Sequence, residues 1–315
     1  MEARLRSLVA SNGVFTRKEA IAAGYHDHAI ACLVRSGTWV RVRRGAYVFG
    51  DEWSDLTDNQ RYGVLCRAAV RQANTRVVLS HTSSANEYGA PLWECDLSTV
   101  HLTRSDERAG RAEAGIVQHR GVLADGDVVW RNGREVMSAT RTALELTLLR
   151  DVEHALVEID FLLHHGFTTM EKLRARYDAM VHWPRSLTTD LVLRLADGRS
   201  ESVGETRARF LCWAQHLPAP IPNYPIHDEN GVEIARVDLA WPSLGVFLEF
   251  DGRTKYEEHR REGESLVDCV LREKQRESRI CEITGWQCIR IVWADLYKPA
   301  ETASRIRRLF RRPAA

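Results

Sequence analysis

The first 50 residues carry three short helical patterns followed by one alternating pattern. The stretch "FTRKEAIAAGY" begins with Thr16 and Glu19 at the spacing of a capping box, which predicts a helix start. In the next stretch, "HDHAIACLVRSGTW", apolar residues recur at helical spacing, and "WVRVRRGAYVFG" alternates on both sides of a central Arg-Arg-Gly. Three helices followed by a hairpin are the element order of a winged helix-turn-helix.

Positive charge accompanies this pattern. Residues 1–50 contain eight Lys and Arg residues but only three Asp and Glu residues. A winged helix places its third helix in the major groove and its hairpin tip over phosphates, so this surplus favours DNA binding. The alternative is a helical cap that binds nothing, but core packing has no use for arginines at a hairpin tip. The predicted DNA-contacting residues are Arg17, Lys18, His28, Arg35, Arg41, Arg43 and Arg44.

The middle of the chain mixes helical and strand patterns. It predicts a helix over 58–73, strands near 77, 99 and 116, and helices over 140–149 and 152–165. Ser80, His81 and Thr82 are interpreted as the polar start of a helix, because no catalytic partner for them is identifiable. The other histidines lack the spacing of metal ligands. The predicted class is α+β with several domains, at 1–52, 53–195 and 196–315.

Three carboxylates stand in a predicted hairpin that is otherwise apolar. In "VDLAWPSLGVFLEFDG", residues 237–252, a turn at Pro-Ser-Leu-Gly makes Asp238 and Glu249 cross-strand neighbours, about 5 Å apart at Cβ. Asp251 then lies on the same face and Phe250 on the other. Carboxylates this close repel, so we expect them to share Mg²⁺ or Mn²⁺. The alternative is an edge hairpin whose acids face water or meet arginines, but the run "VFL" favours a central strand.

Two flanking helices add candidates for the same site. "ESVGETRARFLCWAQHL" predicts a helix with Glu205 in its first turn as a further metal ligand, but Ser202 and Glu205 also form a capping box, so a local role explains Glu205 equally well. "LVDCVLREKQRESRICEITGW" predicts a long helix that stops at Gly285, with Lys274 at the centre of its apolar stripe. An inward-facing lysine needs an anion, which the acidic hairpin supplies. The strand "GWQCIRIVWADL" would add to the same sheet.

The composition indicates in which cellular compartment the protein works and which kinds of partner it can have. The seven cysteines are scattered and form no C-x-x-C pair, which argues against a disulfide framework and a zinc knuckle. The net charge of +1 provides no basic field over the whole molecule. No apolar run approaches the roughly 20 residues that a bilayer crossing needs, and no secretory signal is visible. We therefore expect a cytoplasmic protein without a membrane partner.

The winged-helix pattern, together with "VLSHTSSANEYGAPL", "VHLTRS", "GIVQHRG" and "VMSATRTALELTLLRDVEHALVEIDFLL", resembles the AbiEi-family antitoxins over roughly residues 1–180. In that family such a winged helix binds DNA and represses its own operon. The resemblance implies DNA as one partner and a cognate toxin as another.

The stretches "VDLAWPSLGVFLEFDG", "REKQRESRICEITGWQCIRI" and "WADL" resemble the domain related to very-short-patch-repair endonucleases, across roughly residues 200–298. That domain has the PD-(D/E)xK nuclease fold. The resemblance implies that Glu205 is the helix acid, Asp238 the metal-binding acid and Glu249 the acid of the next strand. The family's lysine, two residues further on, is here Asp251. Either Lys274 supplies the ammonium from the helix, or hydrolysis has been lost and only binding remains.

Three functions are compatible with these patterns. The first is a DNA-binding regulator of antitoxin type with a mainly structural nuclease-like domain, which Asp251 in place of lysine favours. The second is a metal-dependent DNA endonuclease, which an inward-facing Lys274 favours. The third is an interaction protein whose acids accept a basic partner.

In an active endonuclease, different side chains would bind the metal, orient the attacking water and contact the DNA. A metal on Asp238 and Glu249 would polarise the phosphate and activate water, and Lys274 would orient that water. Arg276 and Arg279, together with arginines of the basic C-terminal tail, would contact backbone phosphates without reading sequence.

Overall fold

The computed structural model describes residues 1–104, 112–113, 115–180, 184–252 and 265–310, and this part of the chain forms two compact units. The first unit comprises Met1–Glu158 and Phe167–Leu193, and the second comprises Ile159–Gly166 and Arg194–Ala315. The further division of the first unit into a winged helix and a middle domain stays a prediction. Arg311 and Arg312 of the predicted basic tail lie outside the described residues.

The N-terminal segment has the predicted order of helix, helix, helix and hairpin. Its elements are α1 (Glu2–Asn12), β1 (Phe15–Thr16), α2 (Arg17–Ala22), α3 (Asp27–Arg35), β2 (Trp39–Arg43) and β3 (Ala46–Phe49). In the described chain these strands form an antiparallel sheet in the order β1-β3-β2. The aromatic rings of Phe15, Trp39, Tyr47 and Phe49 pack together, and they join the sheet to the helices in one core.

The rest of the first unit is built around a mixed sheet. Its elements are α4 (Gly50–Ser54), α5 (Asp58–Arg71), β4 (Val77–Leu79), α6 (His81–Glu87), β5 (Val100–Arg104), β6 (Ala112–Glu113), β7 (Ile116–Arg120), β8 (Val128–Arg131), β9 (Arg134–Met137), α7 (Ala139–Leu149), α8 (Val152–His164), α9 (Met170–Asp178) and α10 (Ser186–Leu195). Within the described residues the strand order is β6-β7-β5-β4-β9-β8. The sequence predicted α5, α7, α8 and three strands, and α6 begins at the predicted polar start. It did not predict the hairpin β8–β9, because β8 has no alternation of buried and exposed positions.

The second unit contains a four-stranded sheet in its described part. Its elements after α8 are α11 (Val203–Ala214), β10 (Ile221–His227), β11 (Glu233–Trp241), β12 (Val246–Asp251), α12 (Leu266–Thr284), β13 (Gln287–Val292), α13 (Trp293–Leu296) and α14 (Pro299–Phe310). The strand order is β10-β11-β12-β13, and β12 is antiparallel to β11 but parallel to β13. Strand β12 is therefore an inner strand, as its apolar run predicted.

Helices cover both faces of this sheet. On one face, α11 and α14 pack against Leu248 and Phe250, and a Cβ on Gly204 would lie only 2.0 Å from the Phe250 ring, so α11 approaches the strand closely. On the other face, Ile280 of α12 packs against Phe247. A parallel strand pair requires such a crossover connection, which α12 provides. Among the described residues, no helix has the length and the apolar run that a bilayer crossing requires.

Glu158 is a buried carboxyl with only one hydrogen bond in the described structure. The Cys95 thiol donates to its Oε1 at 3.1 Å, and its Oε2 has no partner among the described residues. Burial raises the pKa of Glu158 from its usual 4.5 to about 7, and the nearby Arg150 offsets this only in part. The folded state therefore holds this proton more tightly than the unfolded state does. The contribution of Glu158 to the free energy of unfolding is greatest at low pH and is lost as pH rises from about 4.5 to about 7.

We expect Glu158→Gln to abolish this loss, because the amide carries no charge to desolvate. Relative to wild type, the variant should gain about 2–3 kcal/mol of unfolding free energy between the two ends of that window. Denaturant titrations at a series of pH values measure the difference. Glu171→Gln, at an exposed position of α9, is the control and should keep the wild-type profile. Parallel profiles for wild type and Glu158→Gln would contradict the assignment.

Candidate nucleic-acid interface and carboxylate site

Helix α3 presents one apolar and one polar face, as predicted. Ile30, Leu33 and Val34 pack into the aromatic core, whereas His28 and Arg35 are exposed. The preceding helix is fixed by its capping box: the Thr16 N–H donates to the Glu19 carboxylate at 2.7 Å, and the Thr16 hydroxyl accepts from the Glu19 N–H. The face of α3 that carries His28 and Arg35 is therefore exposed on the outside of this segment.

The hairpin β2–β3 forms the wing. Its tip turns at Gly45, whose φ is 76°, and the side chain of Gln72, the residue that follows α5, donates a hydrogen bond to the Arg44 carbonyl at 2.8 Å. The side chains of Arg41 and Arg44 are exposed. The wing thus carries two accessible guanidinium groups on a backbone that Gln72 holds in place.

Arg43 is only partly exposed, unlike Arg41 and Arg44. Pairing between β2 and β3 shifts register between Arg41 and Arg43, and the bulge turns Arg43 out of the simple alternation. Its side chain lines a cavity beside Gln72, and its shielded Nε has no hydrogen-bond partner among the described residues. Burial lowers the pKa of Arg43.

Arg17 and Lys18 lie at the start of α2, and both are exposed. The Arg17 guanidinium donates to both carboxylate oxygens of Asp27, at 2.7 and 2.5 Å. Exposed ion pairs contribute about 0–1 kcal/mol, so a phosphate is able to compete with Asp27 for Arg17. Lys18 needs no such exchange to contact DNA.

In the second unit, the predicted hairpin register is confirmed. Leu239 pairs with Leu248 and Trp241 with Val246, around a 3₁₀ turn at Pro242–Leu244. The described pairing of these two strands ends at Leu239 and Leu248, so the position of Asp238 directly opposite Glu249 stays a prediction. The Asp238 carboxylate also accepts a hydrogen bond from the Phe250 N–H at 2.6 Å.

Two of the acids meet arginines from neighbouring elements. Arg276 of α12 donates to Glu249 at 2.8 Å, and Arg290 of β13 donates to both oxygens of Asp251, at 2.9 and 3.0 Å. Arg290 also donates to Glu277 at 2.5 Å. Burial by itself lowers the pKa of Arg290, but the hydrogen bonds to Glu277 and Asp251 outweigh it and leave that pKa raised. Glu249 and Asp251 thus lie on an inner strand of the sheet. They are nevertheless paired with arginines, which the sequence analysis expected of acids on an edge hairpin.

Glu205 makes one of the two bonds of the predicted capping box, in which its N–H donates to the Ser202 hydroxyl at 3.3 Å. Its carboxylate has other local partners. The Ser202 hydroxyl donates to its Oε1 at 2.7 Å, and the Glu201 N–H donates to its Oε2 at 2.9 Å. Glu205 nevertheless lines the same cavity as the sheet acids. Glu205 therefore has local contacts at the start of its helix and also lies on the wall of the acidic cavity.

This cavity has a volume of about 460 Å³ and an acidic wall. Its described lining includes three guanidinium groups, from Arg236, Arg276 and Arg290. It also includes twice as many carboxylates, from Glu201, Glu205, Asp238, Glu249, Asp251 and Glu273. A phosphate approaching such a wall is repelled unless a cation accompanies it.

The predicted metal ligands do not form a preorganised metal centre. Within the described ranges, no three His, Cys, Asp or Glu side chains are grouped so that they could hold a metal ion. Glu205 is hydrogen-bonded to Ser202 and Glu201, while Glu249 is paired with Arg276. A metal would have to displace these contacts, so the donor set does not fit one in this arrangement.

The prediction that Lys274 faces inward is wrong. Lys274 is exposed, as is Ser278, and Leu271 of the predicted stripe is 50% exposed. The less exposed side of α12 carries Glu273, Arg276, Glu277 and Ile280, at helical spacing of three, four and seven residues. Three of these positions are charged, so an apolar stripe calculated from sequence cannot locate this face. Arg279 is exposed on the outer side.

Sequence reasoning missed Arg290 and Glu277. Arg290 interrupts the apolar residues of "QCIRIV", which was the available signal: a charged side chain on a covered sheet face needs an opposite charge nearby. For Glu277 the sequence offers no comparable signal.

The fold defines a class, a mixed α/β protein whose N-terminal segment has helix-turn-helix character. Residues 3–50 match the family model described as "Transcriptional regulator, AbiEi antitoxin". Two relatives from Mycobacterium tuberculosis, Uncharacterized protein MT2308 of strain CDC 1551 / Oshkosh and Uncharacterized protein Rv2248 of strain ATCC 25618 / H37Rv, are each 31% identical over 203 residues. The matched segment covers 63% of this chain and 69% of each relative. The chain belongs to the same family as these two proteins.

Proposed function

We propose that this protein is a DNA-binding transcriptional regulator of antitoxin type, which reads operator DNA through its N-terminal winged helix. The observation that carries the proposal is the exposed set of basic and imidazole side chains on α3 and the wing, His28, Arg35, Arg41 and Arg44. The match of residues 3–50 to a transcriptional regulator model supports it. The antitoxin description of that model makes a cognate toxin the proposed protein partner.

The second unit is, in this proposal, a nuclease-related domain of the PD-(D/E)xK type that no longer hydrolyses DNA. The fold assignment is supported by a helix, a hairpin with acids on both strands, a crossover helix and a parallel strand, in that order. Loss of hydrolysis is supported by three features: Asp251 stands where the lysine is expected, Lys274 is exposed, and Arg276 and Arg290 neutralise two of the acids. The domain would then serve as a structural or docking element.

A second candidate function is a DNA endonuclease dependent on Mg²⁺ or Mn²⁺. The acidic cavity favours it, because its excess of carboxylates attracts divalent cations. In that case the cation would have to compete with Arg276 for Glu249, and Asp238 would be its other ligand.

One pair of assays distinguishes these functions. The full chain is mixed with a DNA fragment from upstream of its own gene and with an unrelated fragment of equal length, and separately with supercoiled plasmid in Mg²⁺, Mn²⁺ or EDTA. The regulator predicts tight binding to the upstream fragment and intact plasmid in all three conditions. Plasmid nicking that EDTA and Asp238→Asn both abolish would select the endonuclease. Equal, weak binding to both fragments would reject the regulator.

A further inference from the structure

A cavity of about 550 Å³ lies within the first unit, and neither function above uses it. Strands β5 and β7 and helices α6, α7 and α9 contribute to its wall. One part of that wall is apolar and includes Leu148 and Met180, whereas another is polar and includes Thr103, His81 and His119. A cavity of this size that combines an apolar wall with convergent polar groups has the character of a small-molecule site.

Thr103 is the first observation that points to a ligand. It is 1% exposed and lines the cavity, and its hydroxyl has no hydrogen-bond partner among the described residues. Other buried hydroxyls of this unit are paired: Ser84 with Thr142 and Thr147 with Thr189, each at 2.7 Å. An unpaired buried hydroxyl costs about 1–3 kcal/mol, and a ligand oxygen in the cavity would remove that cost.

His81 is the second observation. It begins α6 with a φ of 51°, in the left-handed region that residues other than glycine rarely occupy. Its N–H donates to the buried Glu145 carboxylate at 3.1 Å, and its ring stacks on His119 with centroids 3.8 Å apart. Such backbone strain costs about 1–3 kcal/mol and concentrates at functional sites. The surrounding structure thus holds the His81 imidazole in one orientation at the cavity wall.

The imidazoles do not contribute the charge of this cavity. Burial lowers the pKa of His119 to about 4 and lowers that of His81 well below its usual 6.5, and neighbouring imidazoles add to both shifts. Both rings are therefore neutral at pH 7 and act as hydrogen-bonding groups.

Guanidinium groups make the described wall positive. Arg120, Arg141 and Arg176 line the cavity. Arg141 donates to Glu145 at 2.8 Å, and Arg176 donates to both oxygens of Asp127, at 2.7 and 2.6 Å. The carboxylates of Glu145 and Asp127 thus pair with two of the three guanidinium groups. The third belongs to Arg120, which is exposed and provides the excess positive charge. The excess of guanidinium groups over carboxylates on the described wall favours an anionic ligand.

We propose that this cavity binds a small organic anion, a carboxylate or a phosphate monoester on an apolar body, with the anionic group near Arg120 and Arg141 and a hydrogen bond to the Thr103 hydroxyl. The apolar body would lie against the wall that contains Leu148 and Met180. This goes beyond the proposed function, and it is independent of it, because binding of the anion requires no DNA.

Four probes with the same ring test the charge preference by calorimetry on the full chain. Benzoate and phenyl phosphate represent the two anions, and benzamide and benzylamine represent neutral and cationic groups. We expect saturable binding of at least one anion, at least tenfold tighter than benzamide or benzylamine. The tighter anion identifies the carboxylate or the phosphate monoester as the ligand class. Equal binding of all four probes, or binding of none, would overturn the proposal.

Two variants and a control test the site. Thr103→Val should weaken binding of the preferred anion about 5- to 30-fold, and its unfolding midpoint should be equal to wild type or higher, because the hydroxyl loses no existing bond. Arg120→Gln should weaken binding of either anion. Arg174→Gln, at an exposed position of α9 that does not line the cavity, should leave binding unchanged. Wild-type binding by Thr103→Val would place the ligand elsewhere and overturn the proposal.

Discussion

Replacing Arg41 and Arg44 together with alanine should weaken binding to the upstream DNA fragment by roughly 10- to 100-fold. Both side chains are exposed on the wing, where a winged helix contacts phosphates. Each lost phosphate contact releases one counterion fewer, so the slope of log affinity against log salt should also become shallower by about two. Fluorescence anisotropy at four salt concentrations measures both quantities.

A matched variant controls for net charge. Lys172→Ala/Arg174→Ala also removes two positive charges from exposed positions of the first unit, but from α9, which is outside the winged helix. It should keep wild-type affinity and salt slope. Stability should change by no more than about 0.5 kcal/mol in either double variant, since exposed arginines and lysines carry little packing. If the two double variants weaken DNA binding equally, the wing is not the contact surface.

Arg276→Met should destabilise the second unit by about 2–4 kcal/mol. Arg276 donates to the nearly buried Glu249 carboxylate at 2.8 Å, and it also donates to the Arg236 carbonyl at 2.9 Å. Removing one member of a buried ion pair leaves an uncompensated charge, which typically costs about 3–5 kcal/mol. We expect the smaller loss of about 2–4 kcal/mol here because Arg276 is itself one-third exposed. Hydrogen exchange of β11 and β12 peptides, read against denaturant, reports the loss in this unit.

A double variant distinguishes the stability lost because the Glu249 charge no longer has Arg276 from the stability lost because the Arg276 side chain no longer packs. Arg276→Met/Glu249→Leu should recover most of the stability, because apolar residues of similar size often replace a buried ion pair without loss. Arg279→Met, one turn along the helix on its exposed side, should change stability by less than about 0.5 kcal/mol. Failure of the double variant to recover would show that Arg276 acts through its shape or its carbonyl contact instead of through the Glu249 charge.

The acidic cavity and the cavity of the first unit illustrate two ways in which charge is arranged inside a protein. In the first, guanidiniums from α12 and β13 pair with two carboxylates of one strand, Glu249 and Asp251 of β12. In the second, an unpaired hydroxyl and a strained histidine remain beside paired charges. Only the second leaves a described polar group whose hydrogen-bonding capacity is unused, and for this reason it supports a ligand proposal.

The sequence by itself determined the order of the N-terminal elements, the inner position of β12 and the register of its hairpin. These features depend on local rules: a capping box starts a helix, side chains alternate along a strand, and a short turn fixes which residues face each other. The pairing of Leu239 with Leu248 and of Trp241 with Val246 therefore follows from one turn.

Only the tertiary structure decided which charges meet. The side of α12 that faces the sheet is set by the rotation of the helix about its axis. Arg276 and Glu277 face inward there because Glu249 and Arg290 offer partners, so hydropathy misplaced Lys274. The bulge that turns Arg43 inward, likewise, depends on pairing across the hairpin. His81, Thr103 and Arg141 are far apart in the chain, and sheet and helix packing alone bring them to one cavity.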